Sequence, residues 1–160
     1  MIRFFGGRVM ALANGIETQD IEVWTEGSKI VFVGKPKAEE LDGKVFEREY
    51  DLKGNLLMPS FKNAHTHSAM TFLRSYADDM PLQDWLFKQI FPMEAKLDGE
   101  KVYWLTKLAI LEYLTTGCTA AFDMYFELDD YVKACTESGF RSVLCGAVTS
   151  LILKGLKTTI

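Results

Sequence analysis

From Leu56 onward, the sequence alternates between short apolar segments and longer segments with helical periodicity. The first short segment runs from Leu56 to Phe61, follows Gly54, and is typical of a strand that is buried on both faces. The later segments are predicted to be a helix over 99–116, a strand over 119–124, a helix over 128–138 and a strand over 141–148. The order strand, helix, strand, helix, strand predicts an α/β fold with a parallel sheet.

Polar and glycine residues mark the ends of the two long helices. Asp98 is a suitable N-cap for the helix over 99–116, and Gly117 suits the position after its last turn. Gly139 ends the next helix in the same way. The first helix is apolar on most sides, so we expect it to be heavily buried. Its apolar residues include Trp104, Leu105, Leu108, Ala109, Leu111 and Leu114.

A shorter helix is predicted between two prolines. Pro81 suits the first turn of a helix, and Pro92 is expected to end it. The apolar stripe of this helix consists of Leu82, Trp85, Leu86 and Ile90.

The first part of the chain, up to about Leu52, is predicted to be all-β. Two segments rich in β-branched and aromatic residues flank Glu26-Gly27-Ser28, which indicates a hairpin. Residues 45–52 alternate between apolar and acidic side chains, as in a sheet with one face in water. We therefore expect a small β unit over 1–55, followed by the α/β part over 56–160.

His65 and His67 follow the first predicted strand of the α/β part, and they are the only two histidines in the chain. Side chains alternate along an extended chain, so both imidazoles point to the same side. They can therefore converge on one metal ion. Parallel α/β folds place their chemistry at the carboxyl ends of strands, which favours a metal site over the alternative of two histidines in an inert surface turn.

The composition argues against several kinds of partner. Eighteen basic and twenty-two acidic residues give a net charge of −4 without a basic patch. Binding to nucleic acid or to an anionic membrane is therefore not expected. No apolar run is long enough to span a bilayer, and no signal-peptide pattern is present. Cys118, Cys135 and Cys145 lie in apolar surroundings and are typical of reduced core residues in a cytoplasmic protein.

A set of motifs along the chain resembles the amidohydrolase superfamily. It begins with Asn63-Ala64-His65-Thr66-His67, and its later members are Leu73-Arg74, Ala77-Asp78-Asp79, Leu82, Trp85-Leu86, Glu94, Gly117-Cys118-Thr119 and Asp123-Met124-Tyr125-Phe126. Within the superfamily, the sequence is most similar to the branch of S-adenosylhomocysteine and 5′-methylthioadenosine deaminases, which also contains chlorohydrolase-type relatives. The resemblance covers essentially the whole chain.

This resemblance implies a metal-dependent (β/α)₈ barrel, preceded by a small β-sandwich unit. Residues 1–55 would form part of the β-sandwich, and residues 56–160 the first β/α units of an incomplete barrel. His65 and His67 would be the first two ligands of one divalent ion, usually zinc, which activates a water molecule for attack on C6 of an adenine ring with release of ammonia. Trp85 would line the nucleoside pocket, and Glu94 would bind the ribose hydroxyls.

Considered without the resemblance, these two substrate residues have other interpretations. Trp85 lies on an amphipathic stripe and is equally suited to packing in a core. Glu94 follows a proline and could be a solvated carboxylate. We assign no catalytic role to Arg74, Asp78 or Asp79, which could form a surface charge cluster. We interpret Asp123, at the end of a predicted strand, as a structural residue that orients nearby loops.

The chain also departs from the family pattern. A (β/α)₈ barrel usually needs about 250 residues, whereas 160 are present here, and only three barrel strands are predicted. The family takes two further histidines, an aspartate and a proton-shuttling glutamate from later strands, and no catalytic residue of this kind is identified here. We therefore expect the N-terminal part of a larger hydrolase that is inactive alone, and either an oligomer or a partner that supplies the rest of the barrel. The alternatives are a guanine deaminase or chlorohydrolase-type enzyme, and a non-catalytic assembly or binding module that retains half of a metal site.

Overall fold

The structure is a computed structural model that describes residues 1–11 and 16–146. It divides into two compact units, Met1–Pro59 and Ser60–Ile160. The candidate functional residues all lie in the second unit. Among the described residues, no helix has the length and the apolar character needed to cross a membrane.

The first unit consists of two small sheets. Its elements are β1 (Ile2–Phe5), β2 (Arg8–Ala11), β3 (Glu17–Gln19), β4 (Glu22–Glu26), β5 (Lys29–Gly34), α1 (Ala38–Leu41), β6 (Arg48–Asp51) and β7 (Leu56–Leu57). The strand order is β5-β4-β1-β6 in one sheet and β3-β2-β7 in the other. The predicted hairpin is confirmed, since β4 and β5 pair antiparallel around Gly27, whose φ of +55° suits glycine.

The second unit contains a three-stranded parallel sheet with helices on one face. Its elements are β8 (Phe61–Thr66), a 3₁₀ helix (Ser68–Leu73), α2 (Leu82–Asp84), a π-helix (Trp85–Ile90), α3 (Phe91–Glu94), α4 (Gly99–Thr115), β9 (Cys118–Tyr125), α5 (Leu128–Ser138) and β10 (Arg141–Gly146). The sheet order is β10-β9-β8, and both pairings are parallel. The predicted α/β order is therefore confirmed, and the sheet is open rather than a closed barrel. Ala147 and Val148 of the third predicted strand lie outside the described residues.

The core of the second unit lies between the sheet and helices α4 and α5. Its buried residues are Ala69, Val102, Ile110, Ala121, Tyr125, Tyr131, Cys135 and Phe140. Exposure alternates along the carboxyl half of β9, because Ala121, Asp123 and Tyr125 are buried whereas Phe122 and Met124 are exposed. Ala121, Asp123 and Tyr125 are called the covered face below. Phe122, Met124 and the exposed Val143 of β10 are called the open face.

The apolar segment from Leu56 to Phe61 is not the single buried strand that was predicted. Leu56 and Leu57 pair with β2 in the first unit, and β8 begins only at Phe61. The side chains of Leu56 and Phe61 are 44% and 60% exposed, so burial on both faces was wrong for this chain. Strand β8 instead extends through His65 to Thr66, which places the first histidine inside a strand.

The ends of α4 are confirmed, but its heavy burial was wrong. The Asp98 side chain accepts the Lys101 N–H at 3.0 Å, and Gly117 adopts a φ of +81° after the last turn. Only one side of the helix packs against the core, through Val102, Thr106, Ala109 and Ile110. Four of the apolar residues expected to be buried are exposed, and they are Trp104, Leu108, Leu111 and Leu114.

Pro92 does not end the helical segment that follows Pro81. The segment continues through the π-helix into α3 and ends at Glu94, with Pro92 in the first turn of α3. The Phe91 N–H bonds the Leu86 carbonyl five residues earlier, as in a π-turn. Proline is tolerated in the first turn of a helical segment, where its missing N–H costs little.

Candidate metal and substrate site

The two histidines lie together at the carboxyl end of β8. His65 is near the end of the strand, and His67 immediately precedes the 3₁₀ helix. Their ring centroids are 5.2 Å apart, with the ring planes at 79°. Both side chains are near the surface and close enough to approach a common ligand.

The ring of His67 is held in one orientation by the backbone of the neighbouring strand. Its Nδ1 lies 2.8 Å from the carbonyl oxygen of Met124 in β9. A carbonyl oxygen can only accept a hydrogen bond, so Nδ1 carries the proton and donates it. The neutral ring then keeps the lone pair of Nε2 free for a metal ion. Metal-binding histidines commonly use their second nitrogen in this way, so His67 suits the role of a metal ligand.

The hydroxyl group of Tyr113 contacts the residues on both sides of His67. It lies 2.6 Å from Thr66 Oγ1 and 2.9 Å from Ser68 Oγ. Tyr113 belongs to α4, which packs against the 3₁₀ helix. The chain on either side of His67 is thus attached to one atom of a long helix.

A buried carboxylate group holds the start of the 3₁₀ helix. Asp123 is fully buried in β9 and accepts the Ser68 N–H, with its oxygens at 3.1 and 3.3 Å. It also accepts a hydrogen bond from the hydroxyl group of Tyr131 in α5 at 2.5 Å. Burial, together with this bond to Asp123, raises the pKa of Tyr131 above its ordinary value. Asp123 therefore joins the turn after β8 to both the sheet and α5.

Glu94 is brought to the same end of the sheet as the histidines. Its Oε1 accepts a hydrogen bond of 3.0 Å from the hydroxyl group of Tyr125, the last residue of β9. Burial raises the pKa of Glu94, and the hydrogen bond from Tyr125 opposes that rise. Tyr125 directly follows Met124, whose carbonyl oxygen bonds His67, so Glu94 and His67 are both attached to the carboxyl end of β9.

Trp85 is part of a surface depression on the helical segment between Pro81 and Glu94. It is half-buried in the π-helix and lines this shallow depression with Ala77, Asp78, Asp79, Met80 and Leu82. None of the residues that line this depression is a histidine or Glu94.

Within residues 1–11 and 16–146, no group of three or more histidine, cysteine, aspartate or glutamate side chains is placed to hold a metal ion. His65 and His67 are thus two nitrogen donors, whereas zinc usually takes four ligands. Such a pair fits a metal ion whose other positions are filled by water or by residues outside this region.

Three supporting groups were not identified from the sequence. Tyr113 has the periodicity of an ordinary core aromatic residue in α4, and nothing nearby in the sequence marks its hydroxyl group. Met124 contributes a backbone carbonyl oxygen, which no side-chain pattern can indicate. Tyr125 had a detectable signal, because it lies two residues after Asp123 and therefore on the same face of the strand.

Comparison with known proteins gives a family match over most of the chain. The family model described as "Amidohydrolase family" matches residues 56–158. The match therefore covers the whole of β8, β9 and β10, with the helices between them.

Curated relatives are named as deaminases of modified adenosines. The 5-methylthioadenosine/S-adenosylhomocysteine deaminase of Desulfitobacterium hafniense (strain DSM 10664 / DCB-2) is 44% identical over 123 residues, covering 77% of this chain and 28% of that protein. The 5′-deoxyadenosine deaminase of Methanospirillum hungatei JF-1 is 56% identical over 94 residues, covering 59% of this chain and 21% of that protein. The chain thus spans well under a third of the length of these relatives.

A solved structure shares both the fold and part of the sequence. The crystal structure of an adenosine deaminase from Xanthomonas campestris with bound zinc superimposes with a TM-score of 0.81. The two sequences are 33% identical, and the match covers 89% of this chain and 33% of that one.

Proposed function

The chain belongs to the amidohydrolase family, and we propose that it is the N-terminal part of a metal-dependent deaminase of 5′-substituted adenosines. The observation that carries this proposal is the pair formed by His65 and His67, with the Nδ1 of His67 bonded to the Met124 carbonyl. The names of the relatives support the substrate class. S-adenosylhomocysteine, 5′-methylthioadenosine and 5′-deoxyadenosine share the adenine and the ribose hydroxyls and differ at the 5′ position.

The metal ion would be held by Nε2 of His67 and by a ring nitrogen of His65. Imidazole nitrogens are common ligands of zinc. The solved structure of the adenosine deaminase from Xanthomonas campestris also contains bound zinc, so zinc is the expected ion. A bound zinc ion lowers the pKa of a coordinated water toward about 7, which supplies the nucleophile for attack on C6. The remaining ligands and the proton-shuttling acid would come from outside the described residues.

Glu94 would bind the vicinal hydroxyls of the ribose. Its Oε1 already accepts the Tyr125 hydroxyl, which leaves Oε2 and the remaining lone pair of Oε1 for substrate. Because the carboxylate is half-buried, a hydrogen bond from a substrate hydroxyl would replace lost solvation. Trp85 would line the nucleoside pocket.

In the whole enzyme, residues 1–55 would contribute to a β-sandwich, and residues 56–160 would open a (β/α)₈ barrel. The rest of the barrel would be supplied by an oligomer or by a partner chain. The three free cysteines suit a cytoplasmic protein. With two metal donors and no assigned proton shuttle, the chain alone should be inactive, because general acid–base catalysis is typically worth about 10²–10⁴ in rate.

The test of the metal site is zinc binding by the full chain and by the His65→Ala, His67→Ala double variant. We expect weak binding by the unmodified chain and none by the double variant, measured by equilibrium dialysis with metal analysis. A Lys62→Ala variant is the control, since it alters the same strand, and the Lys62 side chain bonds Ser60 and Thr119 rather than either histidine. Equal zinc content in the unmodified chain and the double variant would contradict the proposal.

The test of the activity is ammonia release from S-adenosylhomocysteine, with guanine and a chlorotriazine as alternative substrates. The chain alone with zinc should release no ammonia or chloride above a blank. Turnover of S-adenosylhomocysteine that disappears in His67→Ala would contradict the predicted inactivity and would mean that a second copy of the chain completes the site. Turnover of guanine or of the chlorotriazine, without turnover of S-adenosylhomocysteine, would contradict the proposed substrate class in favour of the alternative.

A further inference from the structure

We propose that Tyr113 is a positioning residue for His67, because its hydroxyl group holds both neighbours of that histidine and so sets the direction of the His67 Nε2. The inference rests on the proposed function in one respect, namely that His67 is a metal ligand.

The contacts of Tyr113 are specific to the residues that flank His67. Its hydroxyl oxygen is 2.6 Å from Thr66 Oγ1 and 2.9 Å from Ser68 Oγ. A phenol has one proton to donate and a lone pair with which to accept, so it can bond both hydroxyls at once. Because both bonds end on a single atom, a rotation of the backbone at His67 would lengthen at least one of them.

Tyr113 is itself held firmly enough to act as an anchor. It lies in the last third of the 17-residue helix α4. Its ring stacks on Phe140, with centroids 5.5 Å apart and planes at 19°. The ring of Phe140 is buried in the core, so the position of the Tyr113 hydroxyl is set by packing and not by the loop that it contacts.

Two other contacts complete the arrangement and leave a distinct task for Tyr113. The Asp123 carboxylate holds the Ser68 N–H in place, and the Met124 carbonyl fixes the rotation of the His67 ring. The Met124 bond can form only if the backbone at His67 brings Nδ1 to within reach of that carbonyl. Tyr113 restrains this backbone from both sides, and supporting contacts of a metal ligand typically change metal affinity about 10–100-fold when they are removed.

A purely structural hydrogen bond would have a different consequence. It would contribute to folding stability and leave the orientation of His67 unchanged. Tyr103 provides the matched control for this alternative. It is also half-buried in α4, and its hydroxyl group bonds the Glu137 carboxylate at 2.5 Å, far along the chain from both histidines.

The experiment compares Tyr113→Phe, Tyr103→Phe and the unmodified full chain. The first measurement is zinc affinity, by competition with a chromophoric chelator. The second is ¹⁵N NMR of the imidazole rings without metal, which is simple because the chain has only two histidines. We expect Tyr113→Phe to weaken zinc binding about tenfold and to convert the His67 ring from a pure Nδ1–H tautomer to a mixture. Tyr103→Phe should match the unmodified chain in both measurements.

The two measurements separate the failure of this inference from the failure of the proposed function. If the unmodified chain binds no more zinc than the double histidine variant, the proposed metal site is contradicted. The effect of Tyr113→Phe on the His67 tautomer then still tests whether Tyr113 positions His67. If Tyr113→Phe retains the zinc affinity or the tautomer of the unmodified chain, the positioning role is overturned. If Tyr113→Phe does not fold, as judged by circular dichroism, Ser68→Ala removes one of the two bonds instead. A smaller change in the same direction is then expected, and no change would overturn the proposal.

Discussion

The two faces of the sheet formed by β8, β9 and β10 differ sharply, although both are built from the same strands. On the covered face, Ala121, Asp123 and Tyr125 are buried beneath α4 and α5, and the Asp123 carboxylate is hydrogen-bonded to Ser68 and Tyr131. On the open face, Phe122, Met124 and Val143 are 49%, 41% and 59% exposed. Neighbouring residues of one strand thus have opposite environments.

This difference shows what a strand sequence encodes. The central strand β9 carries mostly apolar residues on both faces, as in parallel sheets that are covered on both sides. The covered face is covered by elements of the same chain, because α4 directly precedes β9 in the sequence and α5 directly follows it. The open face has the composition of a buried surface without a covering element among the described residues. The apolar residues of a strand therefore indicate that its surface is suited to burial. They do not specify which element covers that surface.

The largest expected effect comes from placing a charge on each face in turn. Ala121→Asp would bury an unpaired carboxylate in the core and should cost more than about 3 kcal/mol of folding free energy. Phe122→Asp, one residue away on the open face, should cost less than about 1 kcal/mol in the isolated chain. Denaturant unfolding followed by circular dichroism measures both costs.

The same pair of variants tests assembly. If the open face is covered by another chain, Phe122→Asp should also reduce the mass measured by light scattering at micromolar concentration. A clean monomer mass for the unmodified chain would contradict the proposed oligomer. Equal folding costs for the two variants would contradict the distinction between the faces.

An intermediate effect is expected within the covered face. Tyr131 is fully buried, and Tyr131→Phe would remove the hydroxyl donor to Asp123. Hydrogen bonds to charged groups contribute about 1.5–3 kcal/mol, so the variant should lose stability by that amount. Tyr103→Phe, whose hydroxyl bonds a surface carboxylate, should lose no more than about 0.5 kcal/mol. Thermal unfolding of the two variants under identical conditions makes the comparison, and a similar loss in both would show that the buried carboxylate does not depend on Tyr131.

The smallest effect is expected at Glu94, beside the last residue of the covered face, and it depends on pH. Burial raises the pKa of Glu94 above its ordinary value of 4.5, so the folded chain binds this proton more tightly than the unfolded chain. Charged Glu94 therefore lowers stability at pH values above its raised pKa, and this cost disappears as the pH falls below about 4.5.

Glu94→Gln keeps the shape and the acceptor for Tyr125 but cannot ionise. It should be more stable than the unmodified chain at pH 7 and equally stable near pH 4. Calorimetric melting temperatures across this range provide the measurement. A difference between the two proteins that does not change with pH would contradict the raised pKa.

Those features of the fold that depend on nearby residues were predicted from the sequence. Asp98, Gly117 and Gly139 mark helix ends because each acts on backbone groups within a few residues. The hairpin at Gly27 is local for the same reason. The continuation of the helix past Pro92 was missed because a π-turn is not encoded by any single residue. The exposure of Trp104 and Leu111 was missed because burial depends on what covers a helix.

In the candidate site, too, only the features that depend on nearby residues were predicted from the sequence. The convergence of His65 and His67 follows from the period of an extended strand, and the structure brings their rings together. The groups that hold His67 lie far away in the sequence, since Tyr113 is separated from Thr66 by 47 residues and Met124 from His67 by 57. The parallel pairing of β8 with β9 brings Met124 within reach, and the packing of α4 against the 3₁₀ helix brings Tyr113 within reach.

These long separations also have a consequence for the order of folding. The contact between Ser142 and Ala121 closes a loop of only 21 residues, whereas the bond between His67 and Met124 closes one of 57. Longer loops cost more conformational entropy to close, and contacts distant in sequence tend to form late. We therefore expect β9, α5 and β10 to assemble before β8 docks, so the two histidines would acquire their fixed geometry only in the final stage of folding.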